Sequence, residues 1–145
     1  FPGLDWRGMG DPAVRPLASI ERKSLLYKSG LGFHCINQVS LDEGFRREWE
    51  PGAASYADSI SALRRLHDAG CRTLVHIEPY PTPSIFEQDL SAMLAEVAFV
   101  DHIFFGGWNY NPRVPRDRAT EAFYRAQSGT VQRFCAQHGI DCEVV

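Results

Sequence analysis

Residues 73–83 read TLVHIEPYPTP, and the fold turns on this stretch. Thr73–Ile77 is short, β-branched and largely apolar, the composition of a strand buried on both faces. Glu78 follows, and Pro79, Pro81 and Pro83 then end the strand. Just upstream, Tyr56, Ile60, Leu63 and Leu66 recur at helical spacing and Gly70 stands where a left-handed C-terminal cap belongs. Just downstream, Ser84-x-x-Glu87 has the form of a capping box. Phe86, Leu90, Met93, Leu94 and Val97 continue from it as an apolar stripe. The spacing thus predicts helix, buried strand, helix.

The pattern repeats on either side. Gly32–Ser40 (GFHCINQVS) reads as a strand, followed by a loop with one short helical turn that Pro51-Gly52 closes. Ile103–Phe105 reads as a second buried strand, ending in Gly106-Gly107-Trp108-Asn109-Tyr110-Asn111. A helix from about Arg118 to His138 turns Phe123, Val131, Phe134 and Cys135 inward and is capped by Gly139, and Ile140–Val145 forms a last strand. Strands alternating with helices, without a hairpin signal, imply right-handed crossovers and a parallel sheet. The expected class is α/β: a partial parallel (β/α) barrel of three βα units plus a terminal strand. An irregular arm precedes it, in which Pro2, Pro12 and Pro16 break any period and only Ser24–Lys28 hints at helix. Residues 1–40 are therefore taken as arm and first strand, and 41–145 as the barrel part.

A chain of 145 residues is long enough to bury one core. Its net charge of −3, with Lys and Arg scattered, argues weakly against a nucleic-acid surface, which shows a basic stripe. No apolar run reaches membrane-spanning length and no leader pattern opens the chain, so a cytoplasmic location without membrane partners is expected. Cys35, Cys71, Cys135 and Cys142 have neither zinc-site nor disulfide-framework spacing. Free thiols are expected, with Cys71 and Cys135 packed as small hydrophobes.

Ligands of parallel α/β folds sit at the C-terminal ends of the strands, which selects Glu78–Thr82 and Gly106–Asn111. A carboxylate at the end of a buried strand needs a partner or a ligand, and the prolines stiffen the backbone around Tyr80 and Thr82. Glu78 paired with an arginine is the plainer alternative. In the second segment, glycines allow close approach, and Trp108, Asn109, Tyr110 and Asn111 offer stacking surface and amides suited to a planar ring. A tight turn whose aromatics cover the barrel mouth explains the same residues. His76 reads as a core residue and His67 as a helix-terminal charge; His34, His102 and His138 share no metal-ligand spacing with a cysteine. Arg46–Glu50 reads as a solvated face. No catalytic residue and no metal ligand is assigned.

The run LDEGFRREWEPGAASYADSISALRRLHDAGCRTLVHIEPYPTP, with FVDHIFFGGWNYN after it, resembles the C-terminal half of radical S-adenosylmethionine proteins of the DNA-repair-photolyase-like group, related to spore photoproduct lyase. The resemblance covers about Ser40 to Val145, and its most specific parts are EPGAA, LHDAGC through IEPYPTP, and FGGWNYN. RKSLLYKSGLGFHCINQV resembles a different region of the same group. There it leads into the C-x3-C-x2-C motif that holds an iron–sulfur cluster, whereas here Val39-Ser40 runs straight into LDEGF. The resemblance implies S-adenosylmethionine and an iron–sulfur cluster as cofactors and nucleic acid as partner. Glu78 and Tyr80 would then line the cofactor or substrate side, with Trp108, Asn109 and Asn111 near the adenosyl end.

The cluster motif is missing from this sequence, so the chain as it stands is expected to lack radical chemistry. Either an intervening segment belongs between Val39 and Leu41, which the start at Phe1 rather than methionine favours, or the chain is an internal deletion. In the second case the expected function is a non-catalytic binding module, self-associating through the sheet flank left exposed.

Overall fold

The computed structural model describes residues 32–108 and 110–145. The expected arm at 1–31 and the candidate Asn109 lie outside them. The elements run β1 (His34–Asn37), α1 (Glu43–Trp49), α2 (Tyr56–Asp68), β2 (Thr73–Tyr80), α3 (Leu90–Glu96), β3 (His102–Gly107), α4 (Arg118–His138) and β4 (Asp141–Val144). The four strands form one sheet in the order β1-β2-β3-β4, and every pairing is parallel. The chain is thus α/β, with the partial parallel βα arrangement that the alternation of elements predicts.

One face of the sheet carries the core. Ile36, Val75, Ile77, Ile103 and Phe105 pack there against Ile60, Leu63 and Leu66 of α2, Leu90, Met93 and Leu94 of α3, and Val131 and Cys135 of α4. This joins the period-2 stripe of the strands to the period-3.6 stripes of the helices. On the other face Cys35 and Leu74 form a separate small cluster with Phe33, which contains no helix residue among the described ones.

The N-terminal ends of the strands are tied together through Asp101. Its carboxylate accepts from the Thr73 backbone N–H (2.7 Å) and hydroxyl (3.1 Å), its own N–H donates to Thr73 O, and its carbonyl accepts from Asp141 N. The opposite ends are left to the long loops.

Helix boundaries follow local chemistry. The Ser55 hydroxyl accepts from Asp58 N at the start of α2, and Gly70 just past its end has φ +87°. Gly139 caps α4 in the left-handed conformation. The expected start at Ser84 is corrected: α3 begins at Leu90, with Asp89 as its N-cap accepting from Ser91 N. Ser84 Oγ is instead 2.8 Å from Thr82 Oγ1, and the Ile85 and Phe86 N–H groups both donate to Thr82 O. The chain therefore turns once after the prolines and sets Phe86 against Phe45 before the helix starts.

The segment expected as a loop with one turn is a two-turn helix, α1, capped by Asp42 Oδ1 accepting from Phe45 N (2.7 Å). Its charged run is more than a solvated face. Arg46 pairs with Glu43 and donates to Ala53 O, while Glu43 accepts from Tyr56 N and Glu50 from the Tyr56 hydroxyl. These bonds fasten α1 to the start of α2.

Candidate functional site at the strand ends

The strand β2 does not stop at Ile77. It runs on to Tyr80 through a cis Glu78-Pro79 bond, and its register against β3 shifts between Ile77 and Tyr80. Strict alternation would turn Tyr80 to the same face as His76 and Glu78. The extra residue of the shift turns it to the core instead. There its ring is 2% exposed and packs on Phe105 and Phe123, and burial pushes its hydroxyl up to about 12. Tyr80 is thus a core residue, held away from the ligand side. Thr82 is buried too, its hydroxyl engaged with Ser84.

Glu78 stays on the sheet face that no described helix packs against. Its Oε2 lies 3.3 Å from His76 Nε2, and the His76 ring stacks on Phe104 at 4.5 Å. Among the described residues the partner of this carboxylate is a histidine rather than an arginine. The carboxylate rests on Gly106, where a Cβ would stand 2.9 Å from Glu78 Cδ and Oε1 and from Val145 Cγ2. Asn37, with its amide turned to donate, reaches the carbonyls of His76 (2.7 Å) and Glu78 (3.0 Å) and ties β1 to this strand end.

Gly107 serves the other face. A Cβ there would meet the Tyr124 ring at 2.8 Å. The Tyr124 hydroxyl, on α4, donates to Tyr80 O (2.8 Å) and accepts from Trp108 N (3.0 Å). One side chain thereby bridges the ends of β2 and β3. Two adjacent glycines thus admit a carboxylate from one side and a phenol from the other.

Between these strand ends opens a cleft of about 310 Å³ lined by Glu78, Pro79, Gly107, Trp108 and Tyr110. Tyr110 is 94% exposed. Trp108 packs edge-on against Trp49 of α1 at 5.0 Å, and Arg113 lies over the Trp49 ring. A second hollow of about 320 Å³ shares the Trp108 wall and extends to Arg116, Asp117 and Tyr124. Asn111 is spent on its own turn: its Oδ1 accepts from Arg113 N and its carbonyl from Val114 N.

Of the five residues singled out in the sequence, Glu78 and Trp108 meet at the cleft. Tyr80 and Asn111 hold the frame around it, and Asn109 lies outside the described residues. Sequence reasoning missed the ties made by Tyr124, Trp49 and His76. Tyr124 carries no signal of its own. Trp49, a large aromatic in a charged run, carries one.

The thiols do not converge. Cys35 is buried, Cys71 half-buried and Cys135 buried near Cys142, and none of the four forms a disulfide. The Cys135 thiol is pushed up to about 12, first by burial and then by Cys142 beside it. Among the described residues no three His, Cys, Asp or Glu side chains are grouped to hold a metal, so these residues do not fit an iron–sulfur cluster. No described helix is long and apolar enough to cross a membrane. The chain matches no protein-family model, no curated protein and no solved structure.

Proposed function

We propose that the strand-end cleft binds a nucleoside-like ligand, a planar ring carrying hydroxyl or ammonium groups, and that the chain is the ligand-holding part of a radical S-adenosylmethionine-type partial barrel. The observation that carries the first part is the composition of the cleft. A carboxylate and two aromatic rings line about 310 Å³, the lower end of the range of small-ligand pockets and mostly aromatic with few polar groups. The second part rests on the resemblance, which makes S-adenosylmethionine the first ligand to test. Trp108 and Tyr110 would take its ring and Glu78 its ammonium or ribose hydroxyls. Nucleic acid as substrate rests on the resemblance alone. Radical chemistry requires cluster ligands that the described residues do not supply.

Equilibrium dialysis of the full chain against adenosine and S-adenosylmethionine tests this reading. Saturable binding of at least one is expected. It should weaken about fivefold or more in Trp108→Ala, since stacking is worth ~1–3 kcal/mol per base, and in Glu78→Gln, with the thermal transition of the latter unchanged. Absence of saturable binding, or equal affinity in both variants, removes the proposal.

A second reading is a self-associating binding module. In its favour, β1 and β4 are both edge strands of the described sheet, and unpaired parallel edges invite a second copy.

A further inference from the structure

The four thiols do not gather at one place, yet two of them stand side by side at the corner where α4 gives way to β4. Gly139 ends the helix in the left-handed conformation, and the Cys135 carbonyl accepts from both the Gly139 and the Ile140 N–H groups. The chain reverses there at once, so that β4 starts at Asp141 and lies along β3 with Cys142 opposite Ile103. Alternation along β4 leaves Asp141 and Glu143 exposed and turns Cys142 and Val144 inward. Cys135, 1% exposed, belongs to the core cluster, and half-buried Cys142 packs against that same cluster. The two side chains are in hydrogen-bonding contact with each other. Helix end and strand thus bring two sulfurs together, one sealed in the core and one within reach of solvent.

We propose that this pair is a redox latch, which a hydroperoxide closes into a disulfide fastening the edge strand β4 to α4 and which a dithiol opens again. The latch stands apart from the reading of the cleft. The order of events follows from exposure. Burial, and then Cys142 beside it, pushes the Cys135 thiol up to about 12, so it is protonated at neutral pH as well as hidden from an oxidant. Cys142 is therefore the sulfur that reacts first. Its thiol takes one oxygen from the hydroperoxide and becomes a sulfenic acid, while the hydroperoxide is reduced to the alcohol, or to water for hydrogen peroxide. The Cys135 sulfur then attacks the Cys142 sulfur. The S–S bond forms, the S–O bond breaks, and the hydroxyl leaves with the Cys135 proton as water. A dithiol reverses the change by thiol–disulfide exchange and is itself oxidised to a disulfide. In the reduced chain β4 is paired, within the described sheet, with β3 alone; the bond adds a covalent tie to the long helix beside it.

Mass spectrometry of the full chain tests the latch directly. The reduced chain is treated with hydrogen peroxide, alkylated and digested with trypsin. Cleavage after Arg133 leaves both cysteines in the fragment that begins at Phe134. That fragment should lose two hydrogens, escape alkylation, and regain both thiols with dithiothreitol. In Cys135→Ser, dimedone should trap Cys142 as the sulfenic acid; in Cys142→Ser, Cys135 should stay unmodified under the same exposure. Oxidation of Cys142 to the sulfinic acid without the disulfide, disulfides drawn mainly from Cys35 or Cys71, or equal dimedone labelling of Cys135 in Cys142→Ser overturns the proposal. A second measurement asks whether the bond suits the native corner. The oxidised chain should unfold in urea at a midpoint about 1 M above that of the reduced chain, because the link restricts the unfolded ensemble. An equal or lower midpoint overturns the latch, since the bond would then oppose the fold that is supposed to form it.

Discussion

At the scale of single residues, the adjacent glycines of β3 carry the most information per atom. Gly106 yields its space to Glu78 and Gly107 to Tyr124. The doublet was legible in the sequence as a place of close approach; what approaches was not, because Tyr124 is 17 positions away and its spacing from other apolar residues marks only a helix. Gly107→Ala forces a methyl against the Tyr124 ring, and overpacking of this kind costs about 1–3 kcal/mol. In a Tyr124→Ala background the obstacle is gone, so the same change should cost little. A urea-unfolding double-mutant cycle reads the coupling, and additivity between the two substitutions would contradict the contact. Tyr80 shows the opposite limit of sequence reasoning. Its neighbours on β2 alternate faithfully, and only the register shift, invisible in composition, turns it to the core.

At the scale of elements, strands and long helices were readable because their periods are sustained. Arg118–His138 and its Gly139 cap are found where the apolar spacing predicts them. The short α3 was misplaced at its start because two N-cap signals compete within six residues. Ser84 loses since its hydroxyl is engaged by Thr82, while Asp89 is free to accept from Ser91 N. On β1, His34 is buried opposite Thr73, and burial holds its imidazole below the ordinary value. The unfolded chain therefore takes up this proton first as pH falls through about 6.5. Stability contributed by keeping His34 neutral is complete above that value and declines below it, down to the lowered folded midpoint. Urea midpoints at about pH 7.5 and pH 5.5 should show this loss in the native chain and a smaller one in His34→Leu; equal losses would mean that other groups govern the acid limb.

At the scale of the whole molecule, the described helices pack on one face of the sheet, and its described edges are β1 and β4. If an edge recruits a second copy, sedimentation equilibrium should show a mass rising with concentration, and an Ile36→Lys change is not needed to test it, since dilution alone suffices. A single mass at all concentrations would exclude the self-associating reading. The fold class was legible at this scale and the site only in part: chain order gave the alternation, whereas the Gly106 seat of Glu78 and the Trp49 partner of Trp108 come from elements distant in sequence. Spatial strand order equal to chain order has one more consequence, for synthesis. Each described strand pairs, among the described residues, only with the strand before it and the strand after it, so a nascent chain leaving the ribosome at about 5–20 residues per second finds the template for each of these strands already made. Assembly can proceed in the direction of translation, and no strand has to wait for a later one to be inserted beside it.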